Sequence, residues 1–542
     1  MRMAVAEQTA LDTSGRVALL ASCVLVVFLL AMTITIANVS LPQIKGAMSA
    51  TRDQVAWVVT SYLVVNAVGL PATGWLNDRF GARRLIVWGT IGFSLATLGC
   101  AMAPNLETLV FFRAMQGLFG APLTPLTMAL VMAAYPREKH GVVTSIFGIG
   151  VTIGPMIGPW LGGILTEEYG WRSVFYFCLP FATVACMAVI AVIPHDKPAA
   201  RNRLDLRGFI FLSIAIACFQ LMVDRGERND WFDSTEITLE CLAGVACLYL
   251  FVVHSLTWRQ PYIDLRVLAN RDLVVGLLLV AAFGMLSYSP LVLLPNMLQN
   301  LRGYPEDTIG VLLAIRGLGM MLGFVTLLWG SRYDPRIWLT LGFGAQIWAG
   351  WAMASFDINV TYSQLAWTGF VSGLGIGFVW VPLLVINMGA VTPDKFPLVS
   401  SLFHLLRLFG SSVHISLSVA VALRTSKISF AEIAERVQPG RPALWNIETA
   451  APSVQQALPM VHEIGRQAQM IGYLNAFLFF GLTALVAMFV ALLAAYFATP
   501  LYQASTRFIV SPNSDLIDGR DIVDSLATLD RRSIITTYAE FM

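Results

Sequence analysis

Gly74-Trp75-Leu76-Asn77-Asp78-Arg79-Phe80-Gly81-Ala82-Arg83-Arg84 sets three arginines, one aspartate and two glycines between two long apolar runs. Each flanking run has about twenty residues, enough for a helix to cross ~30 Å of hydrocarbon. A loop this short and this basic is expected on the cytoplasmic side, because Lys and Arg in short loops resist translocation. Gly74 and Gly81 permit a sharp turn, and Asp78 can pair with a nearby arginine or sit at a helix N-terminus.

The rest of the chain agrees with a membrane reading. Of 542 residues, 57% are hydrophobic and 13% charged, with a mean hydropathy of +0.70. A soluble chain carries about a quarter charged residues, so an integral membrane protein with many spans is the class that fits. A net charge of +2 is too small to argue for nucleic acid. Cys23, Cys100, Cys178, Cys186, Cys218, Cys241 and Cys247 all fall in apolar segments, which suggests buried small residues and neither a disulfide framework nor a metal site. No cofactor is expected. The first apolar run, about 17–39, is too long for a signal h-region and reads as a retained helix.

Apolar runs bounded by Pro, Gly or charge give fourteen candidate spans, near 17–41, 54–74, 84–103, 107–134, 140–166, 172–193, 207–224, 236–257, 272–297, 307–329, 336–355, 363–388, 397–423 and 469–498. With the opening loop inside, 21 basic residues fall on its face, 11 on the other, and Arg113, Arg316 and Arg407 are embedded. Five of those 11 lie in one long loop, 424–468, and long loops count weakly in the rule. Both termini are therefore expected in the cytoplasm.

The expected layout is a short N-terminus (1–16), a six-helix bundle (17–193), a basic linker (194–206), two accessory helices (207–258), a second six-helix bundle (272–498) and a polar tail (499–542). Gly330-Ser331-Arg332-Tyr333-Asp334-Pro335-Arg336 falls where a copy of the opening loop would sit if the bundles repeat. The tail, with Asp515, Asp518, Asp521, Asp524 and Asp530, reads as a solvated appendage.

Two further stretches stand out. The fourth run contains Arg113-Ala114-Met115-Gln116-Gly117-Leu118-Phe119-Gly120-Ala121, and an arginine at that depth must face a cavity or a partner. The fifth contains Gly150, Gly154, Pro155, Gly158, Pro159, Gly162 and Gly163; its glycines four apart make a smooth face for close helix approach.

The opening stretch, G-x-L-x-D-R-x-G-x-R-R, closely resembles the signature loop of the major facilitator superfamily. R-x-x-Q-G-x-x-G-A resembles the family's fourth-helix motif, whose arginine is tied to proton transfer. The extended G-x-x-x-G-P-x-x-G-P-x-x-G-G run resembles the antiporter motif of its exporters. With Thr60-Ser61-Tyr62-Leu63, Trp171-Arg172, Arg316-Gly317-Leu318-Gly319 and Arg407-Leu408-Phe409-Gly410, the likeness runs through most of residues 17–498 and points to the fourteen-helix drug:proton antiporter branch. That implies an all-α fold of two six-helix bundles plus two accessory helices, set in the bacterial inner membrane. It also implies export of small amphipathic drugs or natural products by alternating access with proton antiport, with a periplasmic membrane fusion protein as a common partner. Gly74, Asp78, Arg79, Gly81, Arg83 and Arg84 are then expected to form the cytoplasmic gate, with Asp78 and its arginines as a latch.

Two departures mark this member. Where the branch carries an aspartate in its first helix, the chain reads Thr33-Ile34-Thr35-Ile36-Ala37-Asn38, and a second branch acid is replaced by Asn475. Neither Thr nor Asn titrates near neutral pH. His404, Arg407 and His414 share one helical face, and a histidine can carry a proton. Thr33, Asn38, Tyr62, Arg113, Gln116, Arg316, His404, Arg407, His414 and Asn475 are the candidates for the coupling and substrate cavity. Three embedded arginines without an obvious acid point to an anionic or neutral-amphipathic substrate. A facilitator or an anion-coupled transporter of the same fold remains an alternative. An intramembrane enzyme is disfavoured, as no H-E-x-x-H, G-x-S-x-G or paired acids occur in the spans.

Overall fold

The computed structural model describes residues 12–193, 205–227, 229–259, 261–436 and 454–497, and among these the regular structure is helical, with no strand. Each of the fourteen apolar runs is a helix. They are α1 (Thr13–Val39), α2 (Arg52–Gly69, resumed as Ala72–Phe80), α3 (Ala82–Ala101), α4 (Leu106–Gly120, resumed as Leu123–Ala134), α5 (His140–Tyr169), α6 (Arg172–Val192) and α7 (Leu206–Arg225). The remainder are α8 (Thr235–Thr257), α9 (Arg271–Met297), α10 (Glu306–Gly330), α11 (Pro335–Ala354), α12 (Tyr362–Gly389), α13 (Phe396–Arg436) and α14 (Val454–Phe497). Twelve of the helices are long and apolar enough to cross a bilayer singly, and the bent α2 pair, turned by 61°, makes a thirteenth. The fourteenth, α11, has twenty residues but carries Arg336 and Gln346, which lower its hydropathy.

Side chains start many of these helices. Thr51 and Thr361 form reciprocal capping boxes with Gln54 and Gln364, and Asn105, Asp205 and Asn270 each accept from an amide of the first turn. The breaks in α2 and α4 fall at Pro71 and Pro122, which cannot donate to the ladder.

The packing repeats. The pairs α1–α5, α2–α4, α3–α4, α3–α6 and α1–α6 recur as α9–α13, α10–α12, α11–α12, α11–α14 and α9–α14. The two halves are thus α1–α6 and α9–α14, with α7 and α8 outside the repeat. Alternating chain direction puts Gly81, Arg137, Lys139, Arg332 and Arg336 at one end of the bundle, here called the basic end. There the halves are sealed: the second segment of each of α2 and α4 packs on α13, and His140 of α5 meets Phe396 of α13 with ring centroids 6.5 Å apart.

Two expectations need correction. The opening stretch is not a loop: helix continues to Phe80 and restarts at Ala82, so the turn is Gly81 alone, at φ +84°. That φ suits glycine, which has no Cβ to clash. Nor is 424–468 a loop throughout, since α13 runs on to Arg436 and α14 begins at Val454. Hydropathy marks apolar length, and a helix rich in Ala, Glu and Arg continues past the hydrocarbon. Residues 1–11, most of the linker (194–204), residues 437–453 and the tail from 498 lie outside the described residues.

Candidate substrate and coupling site

In the first half the polar groups form a closed knot. Arg113 of α4 is 0% exposed; its Nε donates to the Val58 carbonyl of α2 (2.9 Å) and Nη1 to Gln116 Oε1 (2.9 Å). Gln116 in turn donates to Thr97 Oγ1 of α3 at 2.7 Å. The guanidinium lies 4.9 Å from the centroid of the Tyr62 ring, a cation–π contact. Gly117 lets this happen: a Cβ there would sit 2.5 Å from the Tyr62 carbonyl oxygen. Thr33, also 0% exposed, spends its hydroxyl on the Leu29 carbonyl of its own helix (2.7 Å), beside Cys178 of α6.

The second half is more open. Arg407 of α13 is half-buried; Nη1 donates to the Tyr288 hydroxyl of α9 at 2.8 Å, and the guanidinium stands over the Tyr288 and Trp380 rings at 5.5 and 5.2 Å. Arg316 of α10 donates Nη2 to the Ser287 carbonyl at 2.7 Å. Tyr288 lies within electrostatic reach of both Arg316 and, across the seam, Tyr62. Each half thus holds an Arg–Tyr pair, Arg113–Tyr62 in the first and Arg407–Tyr288 in the second. Among the described residues no carboxylate pairs with Arg113, Arg316 or Arg407, and each keeps one buried nitrogen without a partner: Nη2, Nε and Nε.

The two histidines differ. His414 is fully engaged: Nδ1 with Ser289 (2.6 Å) and Ser418 (3.2 Å), Nε2 with Thr483 (3.1 Å), and its ring stacked on Phe479. It ties α9, α13 and α14 together inside one half. His404 is buried against Trp380 and Phe403, and its Nε2 has no partner. Asn475 is half-buried on α14, and the side chain of Asn38 lies outside the described residues.

The fifth-helix glycines face α1. A Cβ at Gly154 would meet the Met32 amide nitrogen at 2.7 Å and one at Gly162 would meet Ile36 Cγ1 at 2.9 Å; Gly150 and Gly158 abut Val24 and Thr35 in the same way. Gly163 faces open space, and α5 runs unbroken through Pro155 and Pro159, the latter's side chain lying outside the described residues.

At the basic end the expected latch is absent among the described residues. Asp78 accepts from Asn77 (3.4 Å) and stands near Asp394, a like charge, so no ion pair crosses the seam there. Arg83 donates to the Ile190 carbonyl of α6 (2.8 Å), Arg79 and Arg84 are exposed, and the contact that does cross is Gly74 against Leu398.

The model of the Major Facilitator Superfamily matches residues 23–413. The chain belongs to the major facilitator superfamily. Like other members of the superfamily it is a multi-pass membrane transporter and not an enzyme. It is 30% identical to the multidrug export protein EmrB of Escherichia coli strain K12 over 439 residues, covering 80% of this chain and 86% of that protein. It is 31% identical to the fatty acid resistance protein FarB of Neisseria gonorrhoeae, with 80% and 86% covered. The superfamily fold also relates it to the crystal structure of the human organic anion transporter MFSD10, at a TM-score of 0.59 and 13% identity over 89% of this chain and 100% of that one.

Sequence reading missed Tyr288 and Trp380, the two rings that hold Arg407. The signal was Ser287-Tyr288-Ser289-Pro290, a polar triplet in the middle of an apolar run.

Proposed function

We propose that this transporter exports small amphipathic compounds, anionic or neutral in preference to cationic, from the cytoplasm by alternating access. The carrying observation is the trio Arg113, Arg316 and Arg407, whose partners are carbonyls, Gln116, Tyr288 and aromatic faces, with no carboxylate among them. A buried cation without an acid is costly, and an anion entering between the halves relieves that cost. The name of the gonococcal relative, which concerns fatty acids, themselves carboxylates, supports this reading. Arg407 and Arg316 take the acid group; Tyr288, Trp380 and Tyr62 flank the apolar body.

The basic end faces the cytoplasm, by the excess of Lys and Arg there, with both termini on that side of the bacterial inner membrane. A periplasmic fusion protein serves as partner. Coupling is by proton antiport, although Thr33 and Asn475 cannot carry the proton; His404, with its unpartnered Nε2, is the candidate carrier. Export assays with matched carboxylate and cationic substrates test the substrate class, and a clear preference for the cation would sink it. Proton release on substrate addition to purified protein, for wild type, Thr33→Asp and His404→Gln, tests the coupling. A second reading, a non-proton-coupled or anion-coupled carrier, is favoured by Thr33 bonding its own helix; it predicts transport that survives collapse of the pH gradient.

A further inference from the structure

The repeat is broken at one place. Its operation relates the seam pair α5–α10 to the pair α13–α2. The first packs directly, with Gly141 on Ser331, Gly148 on Phe324 and Met156 on Gly317. The second meets at the basic end, through Gly74 and Leu398, and farther along α7 contacts both partners.

The face α7 turns to them is polar where a membrane helix is expected to be apolar. Gln220, 2% exposed, donates Nε2 to Ser412 Oγ of α13 at 2.8 Å. One turn on, Asp224 accepts a hydrogen bond from Thr60 Oγ1 of α2. Residues four apart lie on one face, so a single ladder reaches both halves. Phe219 packs on Phe409 of α13, centroids 6.3 Å apart, and Arg225 stands 5.5 Å over Trp57 of α2. Arg225 is held from behind by Glu236 (2.7 Å) and Glu240 (3.5 Å) of α8.

We infer that α7 is a latch of the transport cycle: its Gln220–Asp224 ladder fixes the spacing of α2 and α13 and so favours the state sealed at the basic end. Thr60 and Ser412 ride on different halves. When the halves rock, their separation changes, and a rigid helix one turn of whose side chains is bonded to each cannot keep both bonds. Opening the basic end therefore breaks one rung. α8 serves the latch by bracing Arg225.

The inference rests on the halves alternating, and hydrogen-exchange mass spectrometry on the full-length protein in nanodiscs tests both separately. Gln220→Leu and Thr60→Val each remove one rung; Thr60→Ser keeps the hydroxyl. Loss of one hydrogen bond, about 1 kcal/mol, moves a two-state balance roughly fivefold. Peptides at the basic-end seal, 72–80 and 396–404, are expected to exchange about fivefold faster in the two rung variants and at the wild-type rate in Thr60→Ser. Peptides at the other end of the seam are expected to become more protected. A rise at both ends together means loosening and overturns the latch, as does no change. Gly74→Trp, which crowds Leu398, is the reference for a forced opening of the seal. If it gives the reciprocal pattern while the rung variants do not, the latch is wrong and alternation stands. If it too leaves exchange unchanged, alternation falls and the latch with it.

Discussion

The two halves use the same pair of residue types in opposite ways. In the first, Arg113 is wholly buried, and bonds to Val58 and Gln116 lock it over Tyr62. In the second, Arg407 is half-buried and held by a phenol and two ring faces, interactions that a stronger acceptor can displace. A charge-assisted bond to a carboxylate is roughly twice as strong as one to a neutral oxygen. On the proposed function, the difference separates a cation held mainly by its own half, Arg113, from one that an entering acid can draw on, Arg407.

Substitutions can break that contrast. Arg113→Leu leaves the buried Gln116 Oε1 without its donor and is expected to cost the most, about 3 kcal/mol, the upper range for a buried acceptor left unsatisfied, seen as a fall in melting temperature in detergent. An unchanged melt would make Arg113 a ligand site like Arg407. Arg407→Ala is expected to leave the melt nearly as it is while weakening carboxylate substrates roughly 10- to 100-fold, the worth of a hydrogen bond to a charge; equal weakening of an uncharged analogue would show that only packing was lost.

Glycines sharpen the comparison further. Gly154→Val drives a side chain into the α1 backbone and is expected to cost about 1–3 kcal/mol of stability. Gly284 of α9 instead lies against the Arg407 carbonyl, so Gly284→Ala is expected to displace Arg407 and show itself in substrate affinity, read by titration, as well as in the melt.

The smallest effect concerns a carboxylate outside the spans. Burial alone would raise the Asp205 carboxyl, but bonds from the Gly208 amide, His254 and the Tyr262 amide outweigh it and hold the group below its usual range. A lowered carboxylate adds stability above its unfolded value, near 3.9, and loses it as pH falls through the folded one. Melting is therefore expected to fall below about pH 4 in wild type and less so in Asp205→Asn. A variant that follows the wild-type curve would remove Asp205 from the account.

Much of this was legible in the chain. The fourteen helices follow from apolar length, and the paired bundles from the family resemblance, with Gly330–Arg336 where a copy of the opening stretch would fall. The site was legible in part. Arg113, Gln116, Arg316 and Arg407 stand out because charge and amide at membrane depth are costly. Trp380 does not, since an aromatic in an apolar run reads as lipid-facing or core, and Tyr288 is marked only by the serines that flank it. His414 could not be told from His404 by spacing, because spacing gives the face of a helix and not what packs against it.

The sequence by itself determined the helices, the family motifs and the absence of the usual acids at Thr33 and Asn475, since these depend on local composition and order. Only the tertiary structure decided which arginine is wholly buried and which half-buried, that Asp78 makes no cross-seam ion pair among the described residues, and that α7 touches both halves. Those facts arise where side chains from helices distant in sequence converge, and hydropathy along one helix carries no record of its neighbours. The stretch from Gly74 to Arg84 carries the same lesson: its residues announce the fold, but Gly81 alone makes its turn and Leu398, more than three hundred residues away, completes its seal.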